Sequence, residues 1–171
     1  MNATQLQKDE FIPYFNSYIK QAGVVGLIEG LQDGMNAMIT FYEGIEEGKH
    51  EYRYAEGKWT IKEIINHLID SERVFCYRAM RFARCDKTNL SGFEENHYAD
   101  ASKANNRSLP SLLEEYRFVR QSTISLFNSF DNDMMLNKGL VGGGEVSVRA
   151  LGFLIIGYEK HHKSVIIERY L

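Results

Sequence analysis

The sequence predicts an all-α protein, a four-helix bundle with long crossover connections, in a single domain that covers residues 1–171. Apolar residues recur at helical spacing in four long stretches of this 171-residue chain. No stretch shows a convincing strict alternation of apolar and polar residues, which is typical of half-buried strands. Two of the connections are long enough to cross from one side of a bundle to the other.

The N-terminal part predicts a short helix followed by the first long one. Pro13 suits the start of a short helix within residues 1–22, and Gly23 is expected to end it. From Val24 to Ile45 the apolar residues keep helical spacing over about six turns, which predicts the first long helix. The charged stretch 46–58 contains two glycines and predicts a loop.

The second long helix has the clearest start signal in the chain. Thr60 and Glu63 form a capping-box pattern, in which each side chain accepts a hydrogen bond from the other residue's backbone amide. Trp59 before the cap and Ile64 after it are placed to form a hydrophobic staple. Continued helical spacing predicts that this helix runs to about Ala83.

The second half of the chain predicts two further helices separated by loops. Residues 85–107 are polar and predict a long connection with one short helical turn, acting as a crossover or a functional lid. Ser108 suits the cap of the third long helix. Residues 131–146 predict a glycine-rich loop, and their three consecutive glycines lack the lysine and the preceding strand of a phosphate-binding loop. The last helix is expected from Ser147 to Leu171.

Composition and charge limit the classes of function. The chain is 44% hydrophobic, and its net charge of −3 comes with basic residues spread along the sequence. We therefore expect no nucleic-acid partner, since such proteins need a concentrated basic face. The polar residues 1–10 and the absence of a membrane-length apolar run predict a cytoplasmic protein with no membrane contact. Cys76 and Cys85 are expected to be free thiols.

The last helix carries a seam of apolar residues interrupted by two polar ones. His162 belongs to this seam, whereas His161 belongs to a neighbouring row that becomes polar towards the C-terminus. The sequence therefore predicts that His162, rather than His161, faces the bundle interior. The seam consists of Leu151, Ile155, Tyr158, His162 and Val165.

The residues that could carry chemistry are His67 on the second long helix and Tyr158 and His162 on the last. Tyr158 and His162 are four residues apart, so their side chains converge on one point. An imidazole from a facing helix would complete a set able to hold a divalent metal. The alternative is a buried hydrogen-bond network without metal, as is common for polar side chains in a core. His50 and His97 are expected to be solvated in loops.

Three segments of the chain resemble the DinB-like superfamily, which includes YfiT-like proteins and bacterial thiol transferases. The resemblance covers most of residues 14–171 and is greatest in the second and last long helices. The segments that carry it are residues 58–98 (KWTIKEIINHLIDSERVFCYRAMRFARCDKTNLSGFEENHY), 114–123 (EEYRFVRQST) and 147–171 (SVRALGFLIIGYEKHHKSVIIERYL).

The resemblance implies a metal site with one changed ligand. Proteins of this family are four-helix bundles in which three histidines hold a divalent metal, commonly zinc or nickel. The family's first histidine matches His67, and the second of the H-x-x-x-H pair in the last helix matches His162. Tyr158 stands where the first histidine of that pair is expected. His161 could replace it only if the helix rotated or contained a bulge.

The resemblance also implies an activity, with an alternative that the changed ligand leaves open. Family members use the metal to bind a low-molecular-weight thiol, whose thiolate attacks an electrophile. We therefore expect a metal-dependent transferase or hydrolase acting on a small-molecule substrate, with a degenerate site of His67, Tyr158 and His162. The alternatives are a metal site with two histidines and more water, or a metal-free pseudoenzyme that binds a ligand or a protein partner. The resemblance makes a homodimer plausible.

Overall fold

The structure is a computed structural model that describes residues 1–171. It contains seven α-helices and one β-hairpin, and four of the helices are long. In chain order the elements are α1 (Asn16–Ala22), α2 (Leu27–Glu43), α3 (Ile61–Ala83), α4 (Glu95–Ser102), α5 (Leu109–Asn128), α6 (Asn132–Leu136), β1 (Lys138–Val141), β2 (Gly144–Ser147) and α7 (Val148–Arg169).

The long helices α2, α3, α5 and α7 form the predicted four-helix bundle. Helix α3 packs against α5 and α7, and α2 packs against the same two helices from the other side. Helices α2 and α3 therefore lie diagonally opposite each other, as do α5 and α7. The connections 44–60 and 129–147 cross the bundle, which confirms the prediction of long crossovers. Residues 85–107 are not a crossover, because α3 and α5 are neighbours.

The predicted helix starts agree with the structure. The Thr60 hydroxyl accepts a hydrogen bond from the Glu63 amide (3.1 Å), and the Glu63 carboxylate accepts one from the Thr60 amide (2.8 Å). Ser108 and Ser147 cap α5 and α7 with their hydroxyls. Helix α2 begins three residues later than predicted, because Gly26 adopts extended backbone and becomes its N-cap.

The prediction of a loop over residues 131–146 was wrong. Helix α6 and the antiparallel hairpin β1–β2 occupy this stretch, with Val141 paired to Gly144 across the turn. Gly142 and Gly143 both have positive φ angles, 57° and 85°. Two such residues form the tight turn that suits hairpins, and glycine adopts it without strain. Strands of four residues are too short to show a clear alternation in the sequence.

The N-terminal helix lies directly against the last helix. Gly157 makes this approach possible, because a Cβ atom at that position would overlap the backbone carbonyl of Tyr18. Helix α1 thereby brings Tyr18 beside Tyr158 on α7. None of the helices combines the length and the apolar character that crossing a membrane requires.

Candidate metal and small-molecule site

Two histidines from different helices face each other at one end of the bundle. His67 lies near the start of α3 and is 2% exposed, and His162 lies in the last two turns of α7 and is half-buried. Their ring centroids are 5.1 Å apart. His161 points elsewhere, with its ring 5.0 Å from that of Tyr18. The structure therefore brings together His67 and His162 and leaves His161 at the edge.

Tyr158 lies one turn before His162 and closes the space between the two imidazoles. Its hydroxyl oxygen is 2.8 Å from Nε2 of His67, and its ring centroid is 4.8 Å from that of His162. The ring packs edge-on against Tyr18 and Phe75. All three residues singled out in the sequence thus meet at one point, with Tyr158 in direct hydrogen-bond contact with His67.

Burial keeps the two imidazoles neutral. It lowers the pKa of His67 from 6.5 to about 4. Burial, followed by the neighbouring His67 and His161, lowers the pKa of His162 to about 3. A neutral imidazole has a free lone pair and is the form that ligates metals. The pKa of Tyr158 is raised, first by burial and then by Glu95, so its phenol keeps its proton.

Glu95 is a site residue that the sequence did not predict. It begins α4, which lies in the connection 85–107, and its Oε1 accepts a hydrogen bond from the Tyr158 hydroxyl at 3.4 Å. Burial raises the pKa of its carboxyl. We call His67, Tyr158, His162 and Glu95 the histidine cluster. The only available signal was the short helical turn predicted in this connection, which does not say where the turn packs.

The hydrogen bonds of Tyr158 determine which nitrogen of His67 carries the proton. A phenol has one proton, so when Tyr158 donates to Glu95 its oxygen must accept from an N–H at Nε2 of His67. In that arrangement the Nε2 lone pair is not free. Ligation of a metal through Nε2 requires the other tautomer of His67, which removes this hydrogen bond.

Trp59, the single tryptophan of the chain, forms one wall of the site. Its ring centroid lies 4.5 Å from that of His67 and 6.5 Å from that of His162. The sequence predicted Trp59 as part of a helix staple, and the structure shows that it also covers the two imidazoles. It shields them from water and contributes to their lowered pKa values.

The donors fit a weak divalent-metal site rather than a tight one. Two neutral imidazoles are present, but no three His, Cys, Asp or Glu side chains come together at metal-ligating distance. The third donor is the phenol of Tyr158, whose ionisation is costly because its pKa is raised. Biological zinc sites usually have at least three protein ligands. His67 and His162 would be the principal ligands.

The two remaining histidines lie outside this site. His97 is exposed, as predicted, although it belongs to α4 rather than to a loop. His50 is half-buried, with Nε2 3.0 Å from the carbonyl oxygen of Ile45, so it is only partly solvated. Cys76 and Cys85 are both free thiols, as predicted.

Solved structures with a similar fold include two proteins from Bacillus subtilis. YfiT, described as a probable metal-dependent hydrolase with an unusual four-helix bundle topology, matches with a TM-score of 0.72 and 12% identity, over 96% of this chain and 90% of its own. The DinB-like protein YjoA matches with a TM-score of 0.59 and 16% identity, over 82% of this chain and 86% of its own.

A third similar structure is larger. A mycothiol-dependent maleylpyruvate isomerase matches with a TM-score of 0.65 and 11% identity, over 96% of this chain and 62% of its own. At these identities the likeness shows the fold alone. No curated protein sequence matches this chain. The sequence profile of the DinB superfamily matches residues 31–166, which is most of the chain. This chain therefore belongs to the DinB superfamily.

Proposed function

We propose that this protein is an enzyme of the transferase or hydrolase type that acts on a small molecule at the histidine cluster, with a weakly held divalent metal. The observation that carries the proposal is the pair of neutral imidazoles, His67 and His162, facing each other with ring centroids 5.1 Å apart. The fold also supports it, because YfiT has a similar fold and is described as a probable metal-dependent hydrolase.

Each residue of the site has a role in this function. His67 and His162 are metal ligands, and Tyr158 is the third ligand or a hydrogen-bond donor to a bound group. A bound zinc or nickel ion would lower the pKa of a coordinated water or low-molecular-weight thiol, so that it becomes a nucleophile near neutral pH. Trp59 keeps the imidazoles away from bulk water, and Tyr158 can donate its proton towards negative charge on a substrate oxygen.

Metal titration of single-histidine variants tests the proposal. The purified protein is stripped with a chelator, and zinc binding is measured by competition with a chromophoric chelator. His67→Ala and His162→Ala each remove one of two imidazole ligands, so we expect zinc affinity to fall by about tenfold or more. His97→Ala is the matched control, because His97 is exposed and outside the site. Equal zinc affinity in all four proteins would contradict the proposal.

A second candidate function is ligand binding without metal. It is favoured by the 2.8 Å contact between Nε2 of His67 and the Tyr158 hydroxyl, which occupies one of the two nitrogens that could bind a metal. Under this hypothesis, chelator treatment leaves ligand binding unchanged, whereas Tyr158→Phe weakens it. It stays a prediction that the substrate is a small molecule and that the protein forms a homodimer. It also stays a prediction that the protein has no nucleic-acid or membrane partner.

A further inference from the structure

Glu95 differs from every other buried or half-buried acidic side chain in the protein, because it has no cationic partner. Eight acidic side chains are buried or half-buried, and seven of them lie within 4.0 Å of an arginine nitrogen. No Lys, Arg or His nitrogen lies within that distance of Glu95. The seven paired residues are Glu10, Glu63, Asp70, Glu72, Asp86, Glu115 and Glu159.

The two lysines that flank His161 and His162 in α7 make contacts elsewhere. The Lys160 ammonium donates to the carbonyl oxygen of Ala22 (3.2 Å), and the Lys163 ammonium lies over the Phe41 ring (4.8 Å). Neither lysine is therefore a partner of Glu95.

The rings beside Glu95 suit a cationic group. Tyr158 donates to the Glu95 carboxylate, and the Tyr18 ring packs against that of Tyr158 with centroids 4.9 Å apart. Aromatic faces attract cations, and the attraction grows as water is excluded. A half-buried carboxylate next to two tyrosines is thus complementary to an ammonium group.

We propose that Glu95 is a specificity-determining residue that binds a positively charged ammonium group of the ligand that occupies the histidine cluster. The inference rests on the proposed function only in placing the ligand at this cluster. The ammonium lies at Glu95 and the reacting group lies at His67 and His162. The ligand class is a small amine that also bears a thiol or another group able to bind there.

A metal ion is a poorer occupant for Glu95 than an ammonium group. The carboxylate does not join His67 and His162 in a set of three ligating side chains. Its hydrogen-bond contact within the cluster is with the Tyr158 hydroxyl instead. An ammonium group needs a hydrogen-bond acceptor, which the Glu95 carboxylate supplies, and it is attracted to aromatic rings nearby.

Four small molecules test separately how much the ammonium group and the thiol group of a ligand contribute to binding. Cysteamine carries an ammonium and a thiol, 2-mercaptoethanol only the thiol, ethanolamine only the ammonium, and ethylene glycol neither. Binding is followed by NMR through the indole N–H signal of Trp59, which is unambiguous because the chain has one tryptophan. The proteins are the full chain, Glu95→Gln and the control Asp100→Asn, which removes one exposed negative charge from the same helix.

We expect the full chain to bind cysteamine about three- to tenfold more tightly than 2-mercaptoethanol, the range of a partly buried charge pair. Glu95→Gln removes this preference, and Asp100→Asn keeps it. Equal binding of cysteamine and 2-mercaptoethanol by the full chain would overturn the inference, and that comparison needs no variant. A preference that survives in Glu95→Gln would overturn it as well.

The same data keep the two proposals apart. The proposed metal site predicts that zinc tightens the binding of both thiols and that His67→Ala abolishes the zinc effect. The inference on Glu95 predicts an ammonium preference that is also present in chelator-treated protein. If the protein prefers cysteamine but zinc does not tighten thiol binding, the metal site is contradicted and the role of Glu95 is supported. If zinc tightens thiol binding but cysteamine is not preferred, the metal site is supported and the role of Glu95 is contradicted.

Discussion

Tyr158 and Glu159 are adjacent in α7, yet their side chains belong to two polar clusters of opposite character. Tyr158 belongs to the histidine cluster. Glu159 belongs to what we call the arginine cluster, in which the Arg120 guanidinium donates to Glu72 (2.7 and 2.9 Å) and to Glu159 (2.5 Å). The Tyr116 hydroxyl also donates to Glu159 (2.8 Å). Every member of the arginine cluster is 3% exposed or less.

The difference between the two clusters shows which one is available for a ligand. In the arginine cluster both carboxylates bind the Arg120 guanidinium, and a remaining guanidinium N–H reaches the carbonyl oxygen of Leu31 (3.1 Å). Such a network fixes how α3, α5 and α7 pack. The histidine cluster has neutral imidazoles held under Trp59 and a carboxylate without a cation. A metal could bind the free lone pairs of the imidazoles, and a positively charged group of a substrate could pair with the carboxylate.

Removal of Arg120 is expected to have the largest effect on stability. Arg120→Ala leaves two carboxylates buried without a cation, so we expect a loss of about 3–5 kcal/mol in the free energy of unfolding. Urea denaturation at pH 7 measures it. Arg73→Ala is the control, because the Arg73 side chain is half exposed and its ion pairs with Asp70 and Glu115 are worth about 1 kcal/mol or less. Similar losses in the two variants would contradict the distinction between the clusters.

Two tyrosine-to-phenylalanine changes compare the clusters directly. Tyr116→Phe removes a hydrogen bond to a buried carboxylate, which is worth about 1.5–3 kcal/mol. Tyr158→Phe removes a hydrogen bond with a neutral imidazole, worth about 0.5–1.5 kcal/mol, and a long, weak one to the half-buried Glu95 carboxylate (3.4 Å). Urea denaturation of both variants should therefore show the greater loss for Tyr116→Phe. The reverse order would mean that Tyr158 has mainly a structural role.

The stability of the metal-free protein should depend on pH through His67. The pKa of His67 is about 4 in the folded protein and near 6.5 in the unfolded chain, so the unfolded chain binds more protons between these values. Its contribution to stability is present above pH 6.5 and is lost as the pH falls. We expect His67 to account for about 1–2 kcal/mol of lost stability between pH 7 and pH 5.

Denaturation of the chelator-treated protein and of His67→Gln at these two pH values isolates this contribution. The variant has no imidazole at position 67, so its loss between pH 7 and pH 5 should be smaller. An equal loss in both proteins would show that His67 is not held neutral by the fold.

The sequence predicted the helices well because their signals are local. The capping box at Thr60 and the serine caps of α5 and α7 act within a single turn, and each is present in the structure. The hairpin was missed although Gly142 and Gly143 are a recognisable two-residue turn, since its strands are too short to display a period.

The site was predicted only where helix geometry or the family resemblance defined it. Tyr158 and His162 converge because they are one turn apart. His67 was a candidate as a histidine on a facing helix, and the resemblance then matched it to a metal ligand. Glu95 could not be predicted, because its position depends on how α4 packs over α3 rather than on any local pattern. That Glu95 has no cationic partner can likewise be seen only in the three-dimensional structure, which gives the position of every charged side chain.

The most direct test of the central claim is zinc affinity of Tyr158→His beside that of the unchanged protein. The substitution supplies a third imidazole one turn before His162 and removes the phenol that occupies Nε2 of His67. We predict that zinc affinity rises by about tenfold or more, measured by chelator competition, with His161→Ala in the same background leaving the gain intact. No gain in zinc affinity would contradict the claim that His67 and His162 retain the geometry of a metal site.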